Sequence, residues 1–147
     1  FITTYLFKVN LMIRLEHANI SVVNTEEMTR FIIIAFPDFR VRGEGLDSHG
    51  RPWRHVGNDN YYIAIQTVSS KLERKLYGNN TGLNHLGWEV DDVEALEKRM
   101  RRAGFEPNLK VYDHPARKRL YFHDPEGNDW EFVEYTTSDI NERNDYS

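Results

Sequence analysis

The sequence contains no cysteine among its 147 residues. Disulfide bonds and thiolate metal sites are therefore excluded, and His, Asp and Glu remain as the only strong metal ligands. The absence of cysteine also fits a protein of the reducing cytoplasm, which is the localisation we expect.

Long hydrophobic runs and concentrated basic segments are missing as well. No apolar stretch approaches the ~20 residues of a membrane-spanning helix, and the first residues lack the basic region and cleavage site of a signal peptide. The net charge is −4 and the longest basic run is KRMRR, residues 98–102, whereas nucleic-acid-binding proteins usually present a concentrated basic face. We therefore expect neither a membrane nor a nucleic acid as partner.

The length and composition fit one globular domain, since 39% of the residues are hydrophobic and 29% are charged. The sequence begins with Phe and Met12 is a possible natural start, so we interpret residues 1–12 as an N-terminal extension. Residues 136–147 are predicted to form a polar tail, which leaves residues 13–135 as the domain.

The same order of elements is predicted in both halves of this domain. In each half, a strand of alternating polar and apolar residues is followed by a capping residue, an amphipathic helix and three further strands. The first strand is RLEHANISVV, residues 14–23, and its counterpart is NHLGWEV, residues 84–90. We therefore predict an α+β fold made of two tandem βαβββ modules, 13–68 and 83–135.

Equivalent residues of the two modules have nearly equal spacing. The strand histidines, His17 and His85, each precede the predicted cap of the following helix by seven residues. The spacing from His17 to Ala64 is 47 residues, and that from His85 to Glu131 is 46. The spacings support the repeat and place His17, His85 and Glu131 in equivalent strands.

Alternation puts these three side chains on the face opposite the apolar residues that pack under the helices. Trp130 and Phe132 flank Glu131 and are predicted to belong to the core, so Glu131 must point the other way. Two imidazoles and a carboxylate that converge in a cleft form a facial triad for a divalent metal, with coordination positions left open for substrate.

Three segments, LEHANISV, NHLGWEVDDV and YFHDPEGNDWEFVEY, resemble the vicinal oxygen chelate superfamily. This superfamily includes glyoxalase I, extradiol dioxygenases, fosfomycin-resistance transferases and bleomycin-resistance proteins, and the resemblance covers roughly residues 13–135. It implies an open U-shaped mixed β-barrel of paired modules with helices outside. It also implies a homodimer and a metal bound by His17, His85 and Glu131.

The sequence departs from glyoxalase I at one position that matters. Glyoxalase I has a fourth ligand, Glu, in the last strand of its first module, whereas this sequence has Ala64. This argues against classical glyoxalase I and favours the three-ligand set of extradiol dioxygenases and fosfomycin transferases. Gln66 lies on the same strand face and remains an alternative fourth ligand.

Three further residues are candidate catalytic groups. The resemblance implies a substrate-contacting tyrosine at the spacing of Tyr121, ten residues before Glu131. Arg119, on the same strand face, is predicted to neutralise an anionic substrate. His114, in the preceding loop, is a candidate acid–base group.

Two functions remain open from the sequence. The first is a metalloenzyme with Fe²⁺, Mn²⁺, Ni²⁺ or Zn²⁺, which acts on a small oxygen-chelating substrate by extradiol-dioxygenase-like, lyase or transferase chemistry. The second is a metal-free binding protein of the bleomycin-resistance type, whose cleft would be walled by aromatic and apolar side chains, namely Tyr62, Tyr121, Val133 and Tyr135. The sequence also leaves open whether His17 meets His85 within one chain or across two.

Overall fold

The computed structural model describes residues 13–71, 73, 75–78 and 81–147, and the predicted N-terminal extension lies outside these residues. The described elements are, in chain order, β1 (His17–Val22), α1 (Thr25–Ala35), β2 (Arg40–Leu46), β3 (Pro52–Gly57), β4 (Tyr62–Thr67), β5 (His85–Glu89), α2 (Val93–Arg102), β6 (Pro107–His114), β7 (Arg117–His123), β8 (Asp129–Tyr135) and α3 (Ile140–Arg143). None of the helices in these ranges combines the length and the apolar character that crossing a bilayer requires.

The strands form two four-stranded mixed sheets with the same topology. The order is β1-β4-β3-β2 in the first sheet and β5-β8-β7-β6 in the second. The β1–β4 and β5–β8 pairs are parallel and the remaining pairs are antiparallel. The sheets do not close into a barrel. The predicted α+β fold of two tandem βαβββ modules with an open U shape is therefore confirmed.

Both long helices begin at the predicted caps. The Asn24 side chain accepts a hydrogen bond from the Glu27 amide at 3.0 Å, and Asp92 accepts one from the Ala95 amide at 2.8 Å. Each contact satisfies an amide that has no partner within its helix. Gly104 follows α2 with a φ of +88°, a conformation that favours glycine and ends the helix.

The two modules share one hydrophobic core, because α1 of the first module packs on strands of the second. Phe31 contacts Trp130 with ring centroids 5.4 Å apart, and Phe36 contacts Trp88 at 4.8 Å. Trp130 and Phe132 are fully buried, as predicted. Burial of a large apolar side chain contributes about 1.5–3 kcal/mol, so these rings fix the face of β8 that lies under the helices.

The turn before β8 is fixed by one buried carboxylate. Asp124 is 4% exposed and accepts hydrogen bonds from the backbone amides of Glu126 and Asn128, each at 2.9 Å. It also accepts one from the Trp130 indole at 3.0 Å. The turn is thereby tied to the core residue that precedes Glu131, which sets the register of β8.

The predicted polar tail contains the short helix α3, which the sequence analysis did not predict. Arg117, 6% exposed, donates hydrogen bonds to the carbonyls of Arg143 at 3.1 Å and Asp145 at 2.8 Å. Arg143 in turn pairs with Glu89 at 2.6 Å. The tail is therefore docked on the second sheet.

Candidate metal centre

The ladder between β5 and β8 brings His85 and Glu131 together. Their Nε2 and Oε2 atoms lie 3.1 Å apart, and the Glu131 side chain is only 14% exposed. Glu131 stands opposite Gly87 in the parallel register, and a Cβ at Gly87 would lie 3.7 Å from Oε2. A side chain at Gly87 would therefore contact the carboxylate directly.

Tyr121 holds the other oxygen of Glu131. It is the antiparallel partner of Glu131 in the β7–β8 ladder, and its hydroxyl donates to Glu131 Oε1 at 2.6 Å. Burial, followed by this hydrogen bond, raises the pKa of Tyr121 above its ordinary value. Tyr121 is therefore a protonated, fixed donor at neutral pH.

Tyr77 and Asp129 also belong to this cluster, and neither was predicted from the sequence. The Tyr77 hydroxyl donates to Asp129 Oδ2 at 2.5 Å and lies 3.2 Å from His85 Nδ1. Desolvation of its hydroxyl, followed by the hydrogen bond to Asp129, raises the pKa of Tyr77 to about 12. Asp129 is 3% exposed and accepts a further hydrogen bond from the side-chain amide nitrogen of Asn108 at 3.2 Å.

These contacts determine which ring nitrogen of His85 is available to bind a metal ion. Because the Tyr77 proton is committed to Asp129, the Tyr77 oxygen acts as acceptor and His85 Nδ1 carries the hydrogen. Nε2 then faces the Glu131 carboxylate at 3.1 Å. A lone pair and a carboxylate at this distance repel each other unless a proton or a cation lies between them. The donor set, one imidazole nitrogen and one carboxylate, fits a divalent metal ion.

His17 lies on β1 of the other sheet. Its Nδ1 is 2.8 Å from Glu16 Oε2, whereas its Nε2 has no hydrogen-bond partner among the described residues. Its ring stacks on Tyr62 at 4.8 Å. Within the described part of the chain, no three His, Cys, Asp or Glu side chains are grouped closely enough to hold a metal. A single chain thus brings together His85, Glu131 and Tyr121, but it does not add His17.

The position equivalent to Glu131 in the first sheet is occupied by Ala64. Ala64 stands opposite Asn19 in the β1–β4 ladder, just as Glu131 stands opposite Gly87. Ala64 offers no ligand atom. Gln66 lies two residues farther along, opposite Ser21.

The open face of the first sheet carries a row of contacting rings instead of a second carboxylate. Tyr62 lies between His17 and His55, with a centroid distance of 4.8 Å to each, and Trp53 follows His55 at 5.0 Å. The Arg42 guanidinium lies 4.6 Å from the Tyr62 ring centroid. This face combines aromatic surface with one positive charge.

Arg119 lies beside the cluster. It is opposite Val133 in the β7–β8 ladder, two residues from Tyr121, and its positive charge opposes the upward shift of the Tyr121 pKa. Its Nε is buried and has no hydrogen-bond acceptor among the described residues. The residue as a whole is only partly buried, so the rest of its guanidinium group can pair with an anionic ligand.

His114 lies farther away. It pairs with Arg117 at the β6–β7 turn, four residues along β7 from Tyr121, which corresponds to roughly 13 Å. Its Nδ1 accepts a hydrogen bond from the Ala116 amide at 3.1 Å. The structure therefore places His114 near the docked tail and not beside Glu131.

Two clefts lie between the first strands of the modules. One, of about 500 Å³, is lined by residues that include His17, Tyr62 and Gly87. The other, of about 590 Å³, is lined by residues that include Ser21 and His85. Among the described strands, β1 pairs only with β4 and β5 pairs only with β8, so the edges that border both clefts have free backbone groups.

Comparison with known proteins identifies the fold. The model of the Glyoxalase/Bleomycin resistance protein/Dioxygenase superfamily matches residues 14–132. No curated protein sequence matches the chain significantly.

Solved structures with this fold include a glyoxalase family protein from Enterococcus faecalis, with 22% identity, a TM-score of 0.68 and coverage of 82% of this chain and 97% of that chain. The fosfomycin resistance protein FosX from Mesorhizobium loti has 21% identity, a TM-score of 0.67 and coverage of 90% and 98%. FosX from Listeria monocytogenes, crystallised as a mutant with Mn(II) and 1S,2S-dihydroxypropylphosphonic acid, has 18% identity, a TM-score of 0.68 and coverage of 90% and 98%.

Proposed function

The chain belongs to the Glyoxalase/Bleomycin resistance protein/Dioxygenase superfamily, and we propose that it is a divalent-metal-dependent enzyme that acts on a small, anionic, oxygen-chelating substrate. The observation that carries this proposal is the 3.1 Å approach of His85 Nε2 to Glu131 Oε2. The other atoms of both groups are already committed, to Tyr77 and Tyr121. The pair is therefore oriented toward a shared cation.

His17 is the third ligand in this proposal, and it comes from a second copy of the chain. One chain supplies His85 and Glu131, and its own His17 belongs to a different sheet. Among the described strands, the outer edges of β1 and β5 have no strand partner. The apolar residues just before these strands, Leu15 and Leu83, are 69% and 61% exposed. A symmetric dimer that buries these edges would add His17 of the partner subunit to each pair.

The residues of this chain have distinct roles at the proposed centre. When bound, the metal supplies Lewis acidity and open positions for two neighbouring substrate oxygens. Tyr121 donates its single proton to the Glu131 carboxylate and so holds this ligand in place, while its oxygen remains able to accept a hydrogen bond from a substrate hydroxyl. Arg119, whose Nε has no acceptor among the described residues, binds the anionic group of the substrate.

The substrate class follows from this charge arrangement. A small phosphonate or carboxylate with a neighbouring oxygen would engage Arg119 and the metal at the same time. Mn(II) and a dihydroxypropylphosphonic acid were crystallised with FosX from Listeria monocytogenes, which supports phosphonates such as fosfomycin as the first class to test. Extradiol-dioxygenase and lyase reactions use the same kind of oxygen chelation and belong in the same screen.

Metal analysis of protein purified without chelator or nickel resin tests the proposal. We expect close to one metal per chain, or a rise in melting temperature when Mn²⁺, Fe²⁺, Ni²⁺ or Zn²⁺ is added, because binding to the native state alone stabilises it. Less than about 0.1 equivalent of metal, with no rise for any of these ions, contradicts the proposal and supports metal-free ligand binding instead.

The reaction is tested by a substrate panel on the metal-loaded protein. The panel contains fosfomycin with water or thiols, catechols, and 2-oxoaldehyde–thiol adducts. We expect turnover of an anionic member that is lost in Tyr121→Phe even at Mn²⁺ concentrations that saturate the variant, because loss of the hydrogen bond to Glu131 also weakens metal binding. If the metal-loaded protein turns over none of these compounds, the proposed substrate class is wrong.

A further inference from the structure

Tyr77 lies in the connector, the segment between the modules 13–68 and 83–135. Its φ of +56° makes it the only non-glycine residue with positive φ in the described ranges. Left-handed backbone is disfavoured for residues with a side chain and persists where surrounding contacts hold it. The Tyr77 amide donates to Asn84 Oδ1 at 3.1 Å, which anchors the connector immediately before His85.

The side chain of Tyr77 has a second set of contacts at the same place. Its hydroxyl donates to the buried carboxylate of Asp129 at 2.5 Å and lies 3.2 Å from His85 Nδ1. Its ring is nearly parallel to the His85 ring, with centroids 6.1 Å apart and an angle of 28°. The Tyr121 ring contacts the His85 ring edge-on, with centroids 6.2 Å apart and an interplanar angle of 79°. His85 therefore packs between two tyrosines.

We propose that Tyr77 is a positioning residue that fixes His85 as a metal ligand through its hydroxyl. Asp129 takes the Tyr77 proton, the Tyr77 oxygen accepts the Nδ1–H of His85, and Nε2 is thereby left to face Glu131. Metal-bound histidines commonly donate their second ring N–H to such a partner, which fixes the ring orientation. This inference rests on the proposed function, because that proposal makes His85 a ligand.

Through Tyr77, the connector becomes part of the proposed metal centre. Nothing in the repeat pattern predicts this, since Tyr77 lies between the two modules and has no counterpart in either. Through Tyr77, the position of the connector controls the orientation of a ligand that belongs to β5. A shift of the connector would therefore alter metal affinity without a change in any ligand.

The test compares Tyr77→Phe with the matched control Tyr112→Phe. Tyr77→Phe keeps the ring and removes the hydroxyl, whereas Tyr112 lies on β6 next to Lys110 and Lys118. By calorimetric titration with Mn²⁺, we expect Tyr77→Phe to weaken binding by about 10- to 100-fold. Tyr112→Phe should bind like the wild type.

A second readout needs no metal. In nitrogen-15 spectra of the metal-free protein, we expect a slowly exchanging Nδ1–H proton on His85 that is lost in Tyr77→Phe and kept in Tyr112→Phe. If Tyr77→Phe keeps both this proton and wild-type affinity within about twofold, the inference is overturned. If the wild type binds no metal but the Nδ1–H proton depends on Tyr77, the proposed function fails while the positioning of His85 by Tyr77 stands.

Discussion

Glu131 and Ala64 occupy equivalent positions in the two sheets of the molecule. Glu131 lies opposite Gly87 in the β5–β8 ladder, and Ala64 lies opposite Asn19 in the β1–β4 ladder. One module thus carries a carboxylate at this position and the other carries a methyl group. The asymmetry limits the proposed centre to a single carboxylate.

Replacement of Ala64 by glutamate should add a fourth ligand. We expect Ala64→Glu to bind Mn²⁺ at least about tenfold more tightly than the wild type, because a second carboxylate adds both charge and a donor atom. The measurement is calorimetric titration, and Ala64→Gln is the control of equal size without charge. Equal affinities for the two variants would show that this position does not face the metal.

A mixed dimer distinguishes a shared site from a site within one chain. His17→Ala and Glu131→Gln chains carry different affinity tags, so that only dimers with one chain of each kind are purified. If each site combines His17 of one chain with His85 and Glu131 of the other, one of the two sites in the mixed dimer is intact. We then expect about one Mn²⁺ per mixed dimer.

The two variants alone provide the controls for this experiment. Homodimers of either variant have a defect in both sites, so each should bind little metal. Mixed dimers that bind no more metal than these homodimers would assign the three ligands to one chain. A chain that stays monomeric at all accessible concentrations would contradict the shared site directly.

The free energy of unfolding should fall at high pH. The pKa of Tyr77 is raised from 10.0 to about 12 in the folded protein, so the folded state holds its proton where the unfolded state has lost it. This contribution is fully present below pH 10 and disappears as the pH rises toward 12. The pKa of Tyr121 is shifted in the same direction.

Urea unfolding between pH 8 and pH 11.5 measures this dependence. We expect a shallower decline for Tyr77→Phe than for the wild type, and an unchanged decline for Tyr146→Phe, whose residue is 81% exposed. The Tyr77 residue is itself 58% exposed, so solvent screening keeps the effect small. Identical curves for Tyr77→Phe and the wild type would contradict the contact with Asp129.

Alternation along the strands was sufficient to predict most of the fold and the relative positions of Glu131 and Tyr121. It placed Trp130 and Phe132 under the helices and Glu131 on the other face, which the structure confirms. The ten-residue spacing of Tyr121 and Glu131 corresponds to two positions that face each other across a hairpin. Such local pairings follow from periodicity and turn position.

Two other features depend on contacts that periodicity does not encode. Tyr77 reaches Asp129 from a connector without any repeating pattern, although Asp129 itself could have been noted, since it lies two residues before Glu131 on the same strand face. The separation of His17 from His85 depends on how two sheets are placed relative to each other. Spacing along one chain predicts equivalent positions but not which positions meet.

Calorimetric titration of Mn²⁺ into metal-free protein tests whether His85 and Glu131 hold a divalent metal. Glu134→Gln is the matched control for Glu131→Gln, because Glu134 lies on the same strand but accepts a hydrogen bond from the Val93 amide of α2 at 3.0 Å. We expect Glu131→Gln to weaken Mn²⁺ binding by at least about 100-fold and Glu134→Gln to leave it unchanged. Equal Mn²⁺ affinity in the wild type and Glu131→Gln would show that Glu131 is not a metal ligand.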